Sequence, residues 1–364
     1  MKILCLNGGS SSLKFGAYRI NAADVEPVCI AAGTAPAADN ADALLDQVLM
    51  QVQAHEQGSF AAVGHRIVFG GSNYAQPTVF AEGVLRDLEA LVPIEPLHLR
   101  AELDLVYAVK RRLQSLPQVL CFDTAFHRRS PDIAKRLPLP PDIDPLIQRY
   151  GFHGLSYEYV SSQLGDDSGR TVIAHLGSGA SLCALQDLAP IDTTMGFSAL
   201  GGLMMGTRPG DLDPGIFLRL LGADGYGFER LSDLFYHRSG LRGVSGSTPD
   251  MRTLIADSAS DARAREAVEL FVYQLVKHLG AMIGVLGGLK TLVFTGGIGE
   301  HAPSVRVAAC KPFDYLGLRL DEEANERDAR VISRPESSVS VEVIPTDENL
   351  MIARHTLGVL KKIS

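Results

Sequence analysis

The chain has 364 residues, 46% of them hydrophobic and 21% charged, a balance that excludes wholesale disorder and leaves room for two domains. Its formal net charge of −8 excludes the overall basic field of a nucleic-acid or anionic-membrane binder, so any anion it binds must be met by cations gathered locally. The five cysteines (Cys5, Cys29, Cys121, Cys183, Cys310) show no Cys-x-x-Cys spacing, which argues against a disulfide framework or a zinc site and for reduced thiols.

An apolar strand at Ile3–Leu6 runs into Asn7, two glycines and three serines, and a second strand follows at Leu13–Arg19. Gly8 and Gly9 let the backbone approach a ligand closely, and the N–H groups and hydroxyls of such a loop suit a phosphate, with Lys14 just beyond as a cation. An ordinary Gly-Ser hairpin fits the same residues. Asn21–Asn40 is Ala-rich and reads as a surface connection, and Ala41–Glu56 reads as a helix after the caps Asp39 and Asn40. Ala61–Ile67 is a strand that carries Arg66 and ends near the double glycine Gly70-Gly71. That arginine is either a surface residue before a turn or a planar cation presented to a carboxylate or phosphate. Leu97–Leu113 is a helix, and Gln118–Phe122 a strand with Asp123 at its carboxyl end, where open α/β sheets place their ligands. A helix N-cap is the competing reading of Asp123.

Ser130–Asp144 is rich in proline, near the hand-over between the halves. Beyond it, Arg149-Tyr150-Gly151-Phe152-His153-Gly154 sets a histidine among glycines and aromatics, which points to an irregular, functional loop. A helix at Tyr157–Leu164 leads to a strand at Thr171–Ala174, the small polar loop His175-Leu176-Gly177-Ser178-Gly179, and a strand at Ser181–Leu185. This repeats the plan of the first twenty residues and suggests a duplicated domain with a nucleotide held between the halves. Gly201–Gly215 is dense in glycine and proline yet carries Arg208, Asp211 and Asp213, the mark of a site loop. Asp261–Leu286 is the strongest helical pattern. Gln274, Lys277 and His278 interrupt its apolar run, so no membrane span is expected. The strand Thr291–Thr295 then turns through Gly296-Gly297-Ile298-Gly299-Glu300, which lacks the Gly-x-Gly-x-x-Gly spacing of a dinucleotide fingerprint but suits a nucleotide-facing turn. The strand Val339–Ile344 is followed by Asp347 and Glu348 ahead of a last helix. Those acids either favour the helix N-terminus or, in Glu348, offer a carboxylate to Mg²⁺. The chain opens directly on a strand pattern, so we expect no signal peptide and a cytoplasmic protein.

Taken in order from Ile3 to Thr356, these segments resemble the acetokinase family, in its acetate and propionate kinase group. The resemblance implies an α/β fold of two duplicated ribonuclease-H-like domains, of the acetate and sugar kinase/Hsp70/actin superfamily, with an interdomain nucleotide cleft. It implies one domain of residues 1–127 plus a returning C-terminal helix at 349–364, and a nucleotide-binding domain at 128–348. The implied activity is reversible phosphorylation of acetate by ATP to acetyl phosphate and ADP, on the route to acetyl-CoA, by direct in-line transfer in a homodimer. Propionate or butyrate as preferred acid, or a silent nucleotide-binding homologue, are the alternatives.

Position by position, the resemblance implies Asn7 and Glu348 at a magnesium site (Mn²⁺ being a substitute) and Lys14 as an ATP contact. Arg66 and Arg208 hold the carboxylate and the phosphoryl group in flight, Asp123 is the catalytic aspartate, and His153 stabilises the transition state. His175, Leu176, Gly177, Ser178 and Gly179, with Gly296, Gly297, Ile298, Gly299 and Glu300, form the phosphate and nucleotide loops. Asp250, Met251 and Arg252 lie on the adenosine side, and Val68, Leu97 and Phe152 line the acyl pocket. This chain departs from the family pattern at several positions. Ser178 stands for an asparagine, Ala199 for a proline, Gly201 for a glutamate and Phe69 for a common histidine. Leu99-Arg100-Ala101-Glu102 stands for Asn-Pro-Ala-Asn. The chemistry suits the residues: joining a phosphoryl group to a carboxylate brings two anions together, and cations must offset their repulsion.

Overall fold

A computed structural model describes residues 1–8, 12–21, 26–36, 38–55 and 58–363. The chain divides into two compact units: residues 1–128, 152–159 and 347–364 form the first, and 129–151 with 160–346 the second.

The first unit is built on a six-stranded sheet. Its strands are β1 (Lys2–Gly8), β2 (Ser12–Arg19), β3 (Val28–Pro36), β4 (Ala62–Ile67), β5 (Thr78–Val79) and β6 (Gln118–Phe122). They lie in the order β3-β2-β1-β4-β6-β5, with β1, β4 and β6 parallel and β2, β3 and β5 antiparallel to their neighbours. β6 is buried along its whole length, as a Val/Leu/Cys/Phe run demands, and β1 along all but its ends. One face of the sheet packs on the helices Ala41–His55 and Leu99–Arg112 through Leu4, Leu6, Leu45, Val48 and Val109. The other is covered by the helix Glu348–Ile363 through Ile352, Ala353 and Leu357. At Gly64 that helix comes so near that a Cβ would lie 2.3 Å from Thr356 Oγ1.

The second unit holds a five-stranded sheet. β7 (Arg170–Leu176), β8 (Ala180–Gln186) and β9 (Ala189–Thr193) form an antiparallel meander, and β10 (Thr291–Thr295) and β11 (Ser340–Val343) extend it in parallel. Its order, read β9-β8-β7-β10-β11, repeats β3-β2-β1-β4-β6, including the parallel pairs. The repeat expected from two similar loops is therefore a repeat of whole-sheet topology. The helix Ala262–Leu286 is long and apolar enough to cross a membrane by composition. It buries Phe271, Leu275 and Leu279 and packs along β8 and neighbouring helices. Asp261 caps its start and Gly287, at φ 68°, ends it.

One expectation needs correcting. The stretch Asn21–Asn40, read as a surface connection, contains β3. This Ala-rich edge strand shows little inside-outside alternation because much of it is exposed, and a register shift at Ala17/Tyr18 breaks its pairing with β2. All five cysteines are free, and four are buried.

Candidate active site

Three adjacent parallel strands of the first unit end at polar residues. β1 carries Asn7 near its carboxyl end, β4 carries Arg66, and Asp123 follows β6 directly. The order of the sheet thus gathers side chains 116 positions apart in sequence, at the strand ends that open α/β sheets use for ligands. Asp123 is fully buried. Arg66 directs both Nε (3.0 Å) and Nη2 (2.5 Å) at its Oδ2, and donates from Nη1 to the Gly8 carbonyl at 3.0 Å. The Leu155 N–H also favours the charged carboxylate, and the other oxygen, Oδ1, is buried.

Burial raises the proton affinity of Asp123, Arg66 pulls it back, and the charge of Glu348 adds to the rise. The same carboxylates, Asp123 foremost, hold the Arg66 guanidinium firmly in its charged form against its own burial. Glu348, from the first turn of the last helix, accepts a hydrogen bond from Asn7 Nδ2 at 2.7 Å. Lys14 is exposed on β2 and pairs in register with Asn7. Gly9, Ser10 and Ser11 of the expected phosphate loop lie outside the described residues.

The expected acyl-pocket residues of this unit are apolar and inward. Val68 and Phe152 are buried, Leu97 is half-buried, and Phe152 stacks on Phe69 with centroids 6.1 Å apart. His127 Nε2 donates to the Phe152 carbonyl at 2.8 Å, and burial lowers its proton affinity to a pKa of about 4, so the ring is neutral there. His153 follows with φ 58°, a left-handed conformation rare for a residue with a Cβ and characteristic of strained functional positions.

In the second unit, the turns after β7 and β10 are neighbours because the two strands pair in parallel, His175 opposite Thr295. Gly296 takes φ 77°, and a Cβ there would lie 2.8 Å from the Leu176 carbonyl, so this close approach requires glycine. The Gly296 N–H donates to Glu300 Oε1 at 2.8 Å, and the same oxygen accepts the Thr346 N–H. Gly177 N–H donates to Gly179 across the first turn, and the Ser178 carbonyl accepts from Gly206. Arg208 is buried and donates from Nη1 to the Ala199 carbonyl at 2.7 Å. Its loop is laced by Asp211, whose Oδ1 accepts the Gly202 N–H. Asp250 caps the helix Met251–Asp257 and pairs with Arg252 at 2.9 Å, while Met251 is buried.

Two further residues were given no role from the sequence. Arg306 is fully buried and donates to the Gly299 and Glu300 carbonyls, to Asn325 and to Asp328, pinning the end of the β10 turn. Glu102 is buried beside Arg66 and accepts the Val68 N–H at 2.8 Å. An acid inside the apolar stripe of Leu99, Leu103 and Val106 is the signal that could have found it.

Residues 29–354 match the model of the acetokinase family. The chain belongs to the acetokinase family. It is 42% identical to the acetate kinase of Rhodopseudomonas palustris, with 97% of each chain covered, and 38% identical to that of Methylocella silvestris over all of this chain and 98% of the relative. Among solved structures it is similar to the acetate kinase of Porphyromonas gingivalis (TM-score 0.87, 32% identity, 99% of both chains). It is equally similar to a propionate kinase from Francisella tularensis (TM-score 0.87, 31% identity, 97% and 98% covered). As an acetokinase the chain is a kinase, with ATP and a carboxylate as the family's substrates. The duplicated α/β architecture is the fold those relatives share.

Proposed function

We propose that this acetokinase transfers the terminal phosphoryl group of ATP directly and reversibly to a carboxylate oxygen of acetate, giving acetyl phosphate and ADP. A lone pair of the acetate oxygen forms the new P–O bond as the bond to the ADP oxygen breaks and ADP leaves with its electron pair. The supporting observation is the cluster at the ends of β1, β4 and β6, where a largely buried arginine is oriented by a buried aspartate. Acetate is already ionised at neutral pH and needs no base. Asp123 therefore serves by holding Arg66, and Arg66 by holding the acceptor carboxylate. Arg208 and His153 offset charge on the phosphoryl group, and Val68, Leu97 and Phe152 surround the methyl group.

Asn7 and Glu348 fit a magnesium site of the kind that pairs one or two protein oxygens with phosphate oxygens, and the buried Asp123 carboxylate lies within reach of the Glu348 charge. When bound, Mg²⁺ (or Mn²⁺) screens the phosphate charge. Lys14, the turns His175–Gly179 and Gly296–Glu300, and the segment Asp250–Arg252 take the nucleotide. We assign residues 1–127 with 349–364 and 128–348 as the two functional domains. A cytoplasmic homodimer is part of the same reading, supported by the family resemblance and the free thiols; light scattering at twice the chain mass checks the dimer.

The test is hydroxamate formation from acetate, ATP and Mg²⁺. Robust product is expected, and an inactive, folded, pure protein would refute the assignment. Ala199 in place of proline favours a second reading for the acid, because the smaller side chain leaves room for a longer chain. Comparing kcat/KM for acetate, propionate and butyrate decides between them. Acetate is expected to lead, and a preference for propionate would move the assignment.

A further inference from the structure

Glu102 stands on the buried stripe of the helix Leu99–Arg112, among Leu99, Leu103 and Val106, where hydrocarbon is the usual occupant. Its Oε2 accepts the Val68 N–H at 2.8 Å, and its Oε1 is buried with no hydrogen-bond partner. Its Cγ lies over Gly8, where a Cβ would approach it to 3.6 Å, and the Gly8 carbonyl accepts Arg66 Nη1 at 3.0 Å. Its carboxyl thereby holds the segment just after Arg66, and its stem lies near the Gly8 segment whose carbonyl Arg66 also holds. The charged groups facing it are Arg66 on β4, Asp123 after β6 and Glu95 ahead of its own helix. Glu348, from the last helix, acts on the same Arg66 and Asp123. Burial outweighs the attraction of Arg66 and lifts the Glu102 carboxyl to a pKa of about 8, so it keeps its proton at neutral pH.

We propose that Glu102 is a positioning residue for phosphoryl transfer: by holding the Val68 amide, it fixes the segment that presents Arg66 and Val68 to the acceptor. This rests on the reading of Arg66 and Val68 as the acceptor side of the site. In its neutral form Glu102 leaves Arg66 to Asp123 and the acceptor anion. An ionised Glu102 adds a negative charge that competes for Arg66 and repels the acceptor.

Two variants of the full-length enzyme test this. Glu102→Leu removes the acceptor of the Val68 N–H, and KM for acetate is expected to rise about tenfold while KM for ATP stays within about twofold. Glu102→Gln keeps an oxygen for the Val68 N–H and is neutral at every pH. It is expected to retain the wild-type KM at pH 7 and to lack the fall in kcat/KM for acetate that is expected of wild type above pH 8. A folded Glu102→Leu with wild-type KM for acetate, or a Glu102→Gln profile superimposable on wild type between pH 7 and 9.5, overturns the inference. Should the leucine variant not fold, the glutamine pH profile decides alone. Wild type inactive with every short carboxylate would instead defeat the acceptor-site reading itself.

Discussion

Arg66→Ala is expected to lower the turnover of acetate phosphorylation by about 10³-fold or more, because the arginine supplies charge neutralisation where two anions must meet. Arg66 carries two roles that the variant separates. Toward substrate it is the planar cation; toward the protein it is the partner of a fully buried aspartate. Removing one member of a buried pair costs roughly 3–5 kcal/mol when the other stays charged. Asp123 has an escape, since burial and Glu348 already push its proton affinity upward, and without Arg66 it takes up a proton.

The sign of the pH dependence follows. With its folded pKa above the unfolded value, Asp123 binds more protons in the native state between the two. The variant is therefore relatively stable in acid and loses stability as pH rises through the folded pKa. Thermal melts of Arg66→Ala from pH 5 to 8 should show a falling midpoint, and Arg66→Ala/Asp123→Asn should flatten it without restoring turnover. Wild-type turnover in Arg66→Ala would remove the arginine from the chemistry. Arg208→Ala, which loses a buried cation tied to the Ala199 carbonyl, is expected to lose turnover on a similar scale while remaining folded. Near-normal rates there would equally refute its role.

Gly154→Ala tests the site's backbone rather than its charges. A Cβ at Gly154 would fall 1.9 Å from the Asp123 carbonyl oxygen and 2.9 Å from Phe126 Cβ, inside any real contact distance. The obstacle is main chain and has no rotamer to give way. Either Asp123 or the turn that carries His153 must move, and overpacking of this kind costs about 1–3 kcal/mol or more. The expected result is a clear drop in melting temperature together with loss of activity beyond what the lost stability explains at 25 °C, because Asp123 can no longer hold Arg66 in place. A soluble variant with wild-type kcat and melting temperature would show that the close approach is unnecessary. The neighbouring His153, already at φ 58°, suggests why glycine follows it: the chain reverses sharply before entering the helix Gly154–Ser162.

Much of this arrangement was legible in the residues, and the exceptions have physical causes. Gln118–Phe122 and Thr291–Thr295 were recognisable because strands buried on both faces read as unbroken apolar runs. β3 was not, since an exposed edge strand of alanines carries neither alternation nor such a run. Arg66 and Asp123 each had two readings from local sequence. Their pairing depends on β4 and β6 lying side by side, a long-range fact that no window of neighbouring residues contains. Glu102 was read only as a departure from a motif. What it does depends on its burial beside Val68, which is a property of tertiary packing. Arg306 went unnoticed for the same reason: its partners Asn325 and Asp328 are 19 and 22 residues away.

The helix that covers β1, β4 and β6 is synthesised long after the strands it covers. Ile3, Cys5 and Val119 rest against Ile352 and Leu357, so the nascent first unit carries an unsealed oily face for as long as it takes to synthesise more than two hundred further residues. Domains generally fold in order of emergence, yet here the earlier sheet cannot mature before the later one. The same helix delivers Glu348 to Asn7, so closing the hydrophobic face and completing the polar cluster are a single event. Truncated translation products then lack both, and such fragments would reach the cell as chaperone and protease substrates rather than as nucleotide-consuming partial enzymes.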